Sequence, residues 1–220
     1  MNIKSLGVSV ILLSLIFTQD IFSQIVFDDT VNGYSVIDCS GMPAGAVKTA
    51  AELAASKQSV AAGGRVLRHQ QNNQQGTYIT GTYGTVALYI NQKISRKFAV
   101  QKSESAKMDW ATASGWVLDA NDEFTGDSKP AATGCAVYRG KDNADPLGSW
   151  RLPIQRELMV IYSLKGQLAM TTGFTAFSSS YYWSATELYG SDSWYVHFVH
   201  GYVLTSSKSN SDGVRCVRDL

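Results

Sequence analysis

The sequence predicts an α+β fold, and three observations carry that expectation. Strand-like alternation fills residues 181–220, most clearly at Trp194-Tyr195-Val196-His197-Phe198-Val199. Helical patterning is confined to short stretches in one part of the chain, the arrangement expected of α+β proteins. Eleven tyrosines, five tryptophans and nineteen glycines stand against only four prolines, a balance that fits a loop-rich chain with substantial strand content.

From the N-terminus, residues 1–23 read as a secretory signal. Lys4 supplies a positive start and Leu6 to Phe17 an apolar stretch too short to span a bilayer as a helix. No cysteine sits near the expected cleavage after Ser23, and no later apolar run is long enough to cross a membrane, so the mature chain is expected to be exported. Its net charge of +1 carries no nucleic-acid footprint. Residues 24–95 are expected as an N-terminal extension or small β-rich domain. Ile25 to Cys39 predicts a hairpin turning at Asn32-Gly33. Ala46 to Val60 is rich in helix formers with a weak apolar stripe, ended by Gly63-Gly64. Gln70 to Gly76 is a polar loop, and Thr77 to Ile94 reads as two strands.

Residues 96–220 are expected to form the main domain. Phe98-Ala99-Val100 predicts a strand. Asp109 is placed to cap a short helix carrying Trp110 and Ala113, stopped by Gly115. Asp119 to Pro146 is a long polar connection interrupted by Cys135-Ala136-Val137-Tyr138. Pro153 suits the first turn of a second helix, where Ile154, Leu158, Ile161 and Tyr162 form one apolar stripe and Gly166 is placed to end it. Strands follow around Tyr182-Trp183, Trp194 to Val199, Tyr202 to Leu204 and Val214 to Val217. Three cysteines allow three pairings. Cys135 with Cys216 is favoured because both lie in the main segment, leaving Cys39 free or paired between molecules.

In a strand, successive side chains point to opposite faces. Trp194, Val196 and Phe198 are therefore expected inward, and Tyr195, His197 and Val199 outward. The outward set is built from residue types that binding loops favour, which points to recognition.

Asp109-Trp110-Ala111, Trp150-Arg151-Leu152-Pro153 with Glu157-Leu158, Tyr182-Trp183-Ser184-Ala185-Thr186-Glu187, Trp194-x-Val196-x-Phe198, Gly201, Lys208 and Val214-Arg215-Cys216-Val217-Arg218 occur in this order. Together they resemble the bacterial C-type-lectin-like domains typified by the C-terminal domain of a Legionella collagen-like protein, with the Fibrobacter major paralogous domain as a close relative. The resemblance covers roughly residues 96–220. It implies a C-type lectin-like fold, with two helices packed on small antiparallel sheets and Trp150, Trp183 and Trp194 as core anchors. The same fold serves the variable proteins of diversity-generating retroelements, in which adenines of C-terminal codons are randomised. Tyr189 to Ser193, Tyr195, His197, Val199, His200, Tyr202, Leu204 to Ser207 and Ser209 to Asp212 are all types reachable from an asparagine codon by changing its two adenines. Ser, Gly, Asp and Tyr are also ordinary for exposed loops, so an undiversified surface explains the same residues.

Other chemistries fit less well. Formylglycine-generating enzymes share the broad fold but need reactive cysteines in the catalytic domain. His197 and His200 are three apart, so on a strand their rings diverge, and only a turn at His200 brings them together. Asp142, Asn143 and Asp145 offer oxygen ligands for calcium, with a solvated acidic loop as the plainer reading. Glu157 and Glu187 lie on different elements, with nothing to make them converge. No catalytic residue, cofactor or metal site is expected.

The expected function is thus an exported ligand-binding protein for a protein or glycan. Its ligand-binding residues are expected at Tyr189, Ser191, Asp192, Tyr195, His197, His200, Tyr202, Asn210 and Asp212. The alternative is a structural subunit of a pilus or cell envelope, assembled through residues 24–95 with Cys39 linking neighbours.

Overall fold

The computed structural model describes residues 24–54, 93–115, 131–188 and 191–220, and the backbone of two short strands at 78–81 and 84–87. The expected signal segment, the Gln70–Gly76 loop, the start of the long polar connection and Tyr189-Gly190 lie outside the described residues. In chain order the elements are β1 (Ile25–Asp29), β2 (Tyr34–Asp38), β3 (Tyr78–Gly81), β4 (Gly84–Ala87), β5 (Lys97–Val100), β6 (Ser105–Met108) and α1 (Trp110–Ser114). Then follow β7 (Trp150–Arg151), α2 (Gln155–Ser163), α3 (Lys165–Leu168), β8 (Tyr181–Glu187), β9 (Asp192–His197), β10 (Val203–Ser207), β11 (Asp212–Val214) and β12 (Val217–Asp219).

The fold is mixed α+β, with two five-stranded sheets and few helices. The first sheet runs β1-β2-β5-β12-β7 and the second β10-β9-β8-β11-β6, while β3 pairs with β4. All pairings are antiparallel except β8 with β11. Two chain segments cross from one sheet to the other side by side. One leads from β5 to β6 through Gln101, and the other from β11 to β12 through Arg215 and Cys216. Gln101 donates its backbone N–H to the Cys216 carbonyl at 2.9 Å, and Cys216 N–H returns a bond to the Gln101 side chain at 3.1 Å. The Cys135–Cys216 disulfide sits at this crossing. Arg215, fully buried there, donates to the carbonyls of Gln101, Lys102 and Thr175 and lies over the rings of Phe174 and Phe177.

The N-terminal hairpin forms as its Asn-Gly signal implies, with a four-residue loop in place of a tight two-residue turn. Asp29 accepts the Asn32 N–H, and Gly33 takes φ +75°, where a side chain is disfavoured. β2 then pairs with β5, so residues 34–38 share a sheet with the segment expected as the main domain. They also share its cores, through Tyr34 and Val36 in one and Ile37 and Cys39 in the other. Further on, residues 50–54 are helical. Thr49 and Glu52 cap this turn reciprocally, as a capping box does.

α1 is capped as the sequence implies. The Asp109 carboxylate accepts the Thr112 N–H at 2.8 Å, and Gly115 closes the helix at φ +79°. Gly115 also admits the backbone of Gly134 and Cys135, since a Cβ there would lie 2.4 Å from Ala136 N. α2 buries Leu158 and Ile161, with Ile154 just before its first turn. It does not end at Gly166. The backbone breaks at Leu164 (φ −102°, ψ 7°), and Gly166 lies inside the short α3.

Tryptophans 110, 150 and 183 are buried anchors of the second core, between the sheets and α1. Trp194 is not. It is half-buried and lies outside both core clusters. Its partner across the ladder is the exposed Thr205 of the edge strand β10, so little lies above it to cover the indole. Among the described residues, no helix is long and apolar enough to cross a membrane.

Candidate ligand-binding face

β8 and β9 lie at the centre of the second sheet, and their registry decides what each face displays. Tyr181 pairs with His197, Tyr182 with Val196, and Trp183 with Tyr195. Tyr195 pairs in turn with Leu204 of β10. Cross-strand partners share a face, so Tyr182, Val196 and Phe198 turn into the first core beneath α2. Tyr181, Trp183, Tyr195, His197 and Leu204 turn the other way. Trp183 is covered by the second core, where its indole donates to the Met108 carbonyl at 3.0 Å. Beyond Trp183 the cover stops. Tyr181, Tyr202, Leu204 and Val199 are 38–59% exposed.

These rings make one contiguous cluster. Tyr181 meets Tyr195 edge-on at 5.0 Å and His197 at 4.6 Å. The imidazole of His197 stacks against His200 at 4.8 Å and against Tyr202 at 4.7 Å. A tight turn creates this stack. Gly201, at φ +79°, returns its N–H to the His197 carbonyl, and the His200 N–H is donated to His197 Nδ1 at 3.1 Å. Only glycine fits, because a Cβ at Gly201 would lie 2.5 Å from the Tyr162 ring.

Two expectations are corrected here. The histidine rings do not diverge, because β9 ends at His197 and the turn folds His200 back over it. His197 is on the outward face, as its position in the strand implies, yet it is buried (6% exposed). It is covered by the neighbouring rings of the face itself and not by the core. Among the described residues, no group of three or more His, Cys, Asp or Glu side chains is placed to hold a metal ion.

The expected binding residues fall into two groups. Tyr195, His197, His200 and Tyr202 come together, and Tyr181 and Leu204 join them. Ser191, Asp192 and Asn210 lie at the opposite end of the β9–β10 hairpin. There Asp192 pairs with Ser207, Ser191 donates to the Asp192 carboxylate, and Asn210 donates to Ser206 Oγ. A six-residue strand separates the groups by roughly 17 Å. Tyr189 lies outside the described residues. Asp212, on β11, belongs with the aromatic group. Gly213 is level with Tyr182, and Val214 points into the second core, which sets Asp212 on the Tyr181 side. Burial raises the Asp212 carboxyl above its ordinary value, offset in part by exposed Lys107. Burial also raises the Tyr195 hydroxyl, and Tyr181, Asp212 and Tyr202 add to the effect.

Tyr181 escaped the sequence reading. Its signal was its place two residues before Trp183 on one strand, which puts both on one face.

Several charges elsewhere are committed to the interior. Arg151 is bidentate to Glu157 at 2.7 and 2.9 Å, and also binds Asp219 at 2.6 Å. Ser95 Oγ donates to Asp219, and buried Lys48 donates to Ser95 Oγ. Glu187 pairs with Lys208 at 3.1 Å, so Glu157 and Glu187 do not meet. The acidic loop is corrected too. Asp145 is buried, accepting from Tyr34, Trp150 Nε1 and Arg218, while Asp142 and Asn143 stay exposed. Cys39 is a buried free thiol that burial pushes up to about 12. That is the reverse of what an activated nucleophile needs, and its burial keeps it from reaching a neighbouring molecule.

Residues 95–218, more than half of the chain, match the family model described as the Lcl C-terminal domain (Lcl_C). The chain belongs to the Lcl C-terminal domain family. A search of curated proteins gives no match. The Lcl C-terminal domain match takes in every strand of the second sheet and the whole aromatic cluster. It leaves β1 and β2 outside, together with Lys48 and Asp219, although both residues belong to the buried charge cluster around Arg151.

Proposed function

We propose that this chain is an exported recognition protein. In this reading residues 1–23 direct export, the scaffold is C-type-lectin-like, and the face around Tyr195, His197, His200 and Tyr202 binds a protein or glycan ligand. The observation that carries the reading is the contiguous ring cluster left open beyond Trp183. Tyrosine offers large amphipathic contact area with few rotors to freeze, and the rings sit on strands whose opposite side is locked into the first core. Of the residues whose types fit randomised asparagine codons, Tyr195, His197, His200, Tyr202 and Leu204 lie on or beside this face, which supports diversification by a retroelement. The proposal includes no catalytic step.

The test is binding of the full chain to arrayed glycans and surface proteins, repeated with Tyr195→Ala/Tyr202→Ala. The double variant is expected to keep its melting temperature within a few degrees and to lose the binding. Binding that survives unchanged removes the face. For diversification the decisive observation is genomic, an adenine-rich near-copy of the 3′ coding end beside a reverse transcriptase.

A further inference from the structure

Asp212 stands apart from the other described aspartates. Among the described residues every other aspartate that is buried or half-buried accepts a hydrogen bond or an ion pair: Asp28 from Lys102, Asp29 from Asn32, Asp38 from Ser40, Asp109 from Thr112, Asp145 from Trp150, Asp192 from Ser191 and Asp219 from Arg151. The half-buried Asp212 carboxylate has neither among the described residues. Lys107 is the cation nearest in effect, and it is exposed and makes no ion pair with Asp212. Its oxygens still reach solvent, and a partly desolvated carboxylate with no cation beside it gains from one that arrives.

On one side its ladder partner is Met108 of β6, and on the other its neighbours are aromatic. Tyr181 lies on the adjoining strand, Tyr195 on the next, and Tyr202 with His197 just beyond, all on the same face. Aromatic faces attract cations, most strongly once water is excluded. An open layer of rings on a sheet suits a side chain projecting from a folded partner, whereas small ligands are taken by concave sites that enclose them. A planar guanidinium meets both demands, since it stacks on rings and uses both oxygens of one carboxylate. We propose that this face recognises an arginine side chain of a protein partner, with the guanidinium at Asp212 and its stem across Tyr181 and Tyr195. The proposal rests on the binding face described above and names what that face takes.

The test uses the full chain and two probes, acetyl-glycyl-arginyl-glycinamide and its citrulline twin, which keeps the shape and loses the charge. Chemical shifts of the tyrosine and histidine rings report binding. The arginine peptide is expected to bind about tenfold more tightly than the citrulline peptide, and Asp212→Asn to remove that difference. Asp212→Asn gives up no internal partner, so its melting temperature is expected to hold. Equal affinity for the two peptides overturns the proposal, as does a preference that persists in Asp212→Asn. Tighter binding of choline than of the arginine peptide overturns it in favour of a small ammonium ligand. Should neither peptide bind while Tyr195→Ala/Tyr202→Ala still abolishes array binding, the arginine proposal falls and the face stands.

Discussion

The two ends of this molecule's polar chemistry are built on opposite plans. Around Arg151, two cations and two carboxylates from four separate stretches of chain are sealed together, and each is bound to the others or to Ser95. Around Tyr195, aromatic rings from two strands and a turn form an open cluster, with one carboxylate left unspent beside them. The first arrangement is self-sufficient and has nothing to offer a ligand. The second is left open, and in the function proposed above a ligand completes it. Charge alone is therefore a poor guide to function here, and what separates the regions is whether each polar group already has its partner.

The largest effect is expected where the two sheets are tied. Replacing Cys135 and Cys216 by alanine opens a link across a sequence separation of 81 residues. It should cost about 4.5 kcal/mol on the chain-entropy model, read as a lowered urea midpoint. A loss below about 1 kcal/mol would show that Arg215 and Gln101 hold the crossing unaided, and that the terminal face rests on hydrogen bonds instead of the covalent link.

Next comes the sealed cluster. Glu157→Gln leaves Arg151 and Lys48 short of one counter-charge and should cost about 3 kcal/mol, with ligand binding of the folded protein unchanged. Its pH dependence has a definite sign. Burial alone would raise Glu157 and Asp219, but Arg151 beside them, with Lys48, holds both below their ordinary values of 4.5 and 3.8. Carboxyls depressed in the folded state contribute stability that is fully present above those ordinary values and drains away as pH falls through the lower folded ones. Urea midpoints of the parent chain should therefore fall steeply below about pH 4, and Glu157→Gln should show a shallower fall. Parallel curves would mean that Glu157 does not carry the acid response.

Much of this plan is legible in the sequence. Local rules announced the Asn-Gly hairpin, the Asp109 cap and the inward turn of Val196 and Phe198, because each depends on neighbours in sequence. Of the three possible pairings, the shared segment favours Cys135 with Cys216, and that bond is the one formed. What escaped depends on distant contacts. Trp194 obeys the alternation and still lacks cover, because its cross-strand neighbour is the small Thr205 on an edge strand. His197 obeys it too, yet is hidden by rings that a turn brings back over it. Asp145 reads as part of a solvated acidic loop and is buried, and Lys48, which no sequence pattern singles out, is buried as well. Their partners lie 111 and 47 residues away at Tyr34 and Ser95, with Trp150 close by for Asp145. Nothing in a linear pattern marks such meetings. The separate character of residues 24–95 was a matter of composition, and composition does not reveal that β2 hydrogen-bonds to β5.

The smallest effect on stability is expected at the point where the comparison is sharpest. Tyr202 is nearly half exposed, and its ring stacks on His197 and His200 of the same face. Tyr202→Ala should therefore change the urea midpoint by no more than about 0.5 kcal/mol. If the open face is the working surface, the same truncation should weaken ligand binding by about 2 kcal/mol, as central interface tyrosines do. The ratio of these two losses is the useful quantity. At Glu157 it should be heavily weighted to stability and at Tyr202 to binding, and a Tyr202 variant that loses stability without losing affinity would place the rings among the packing residues, on the same footing as Trp183.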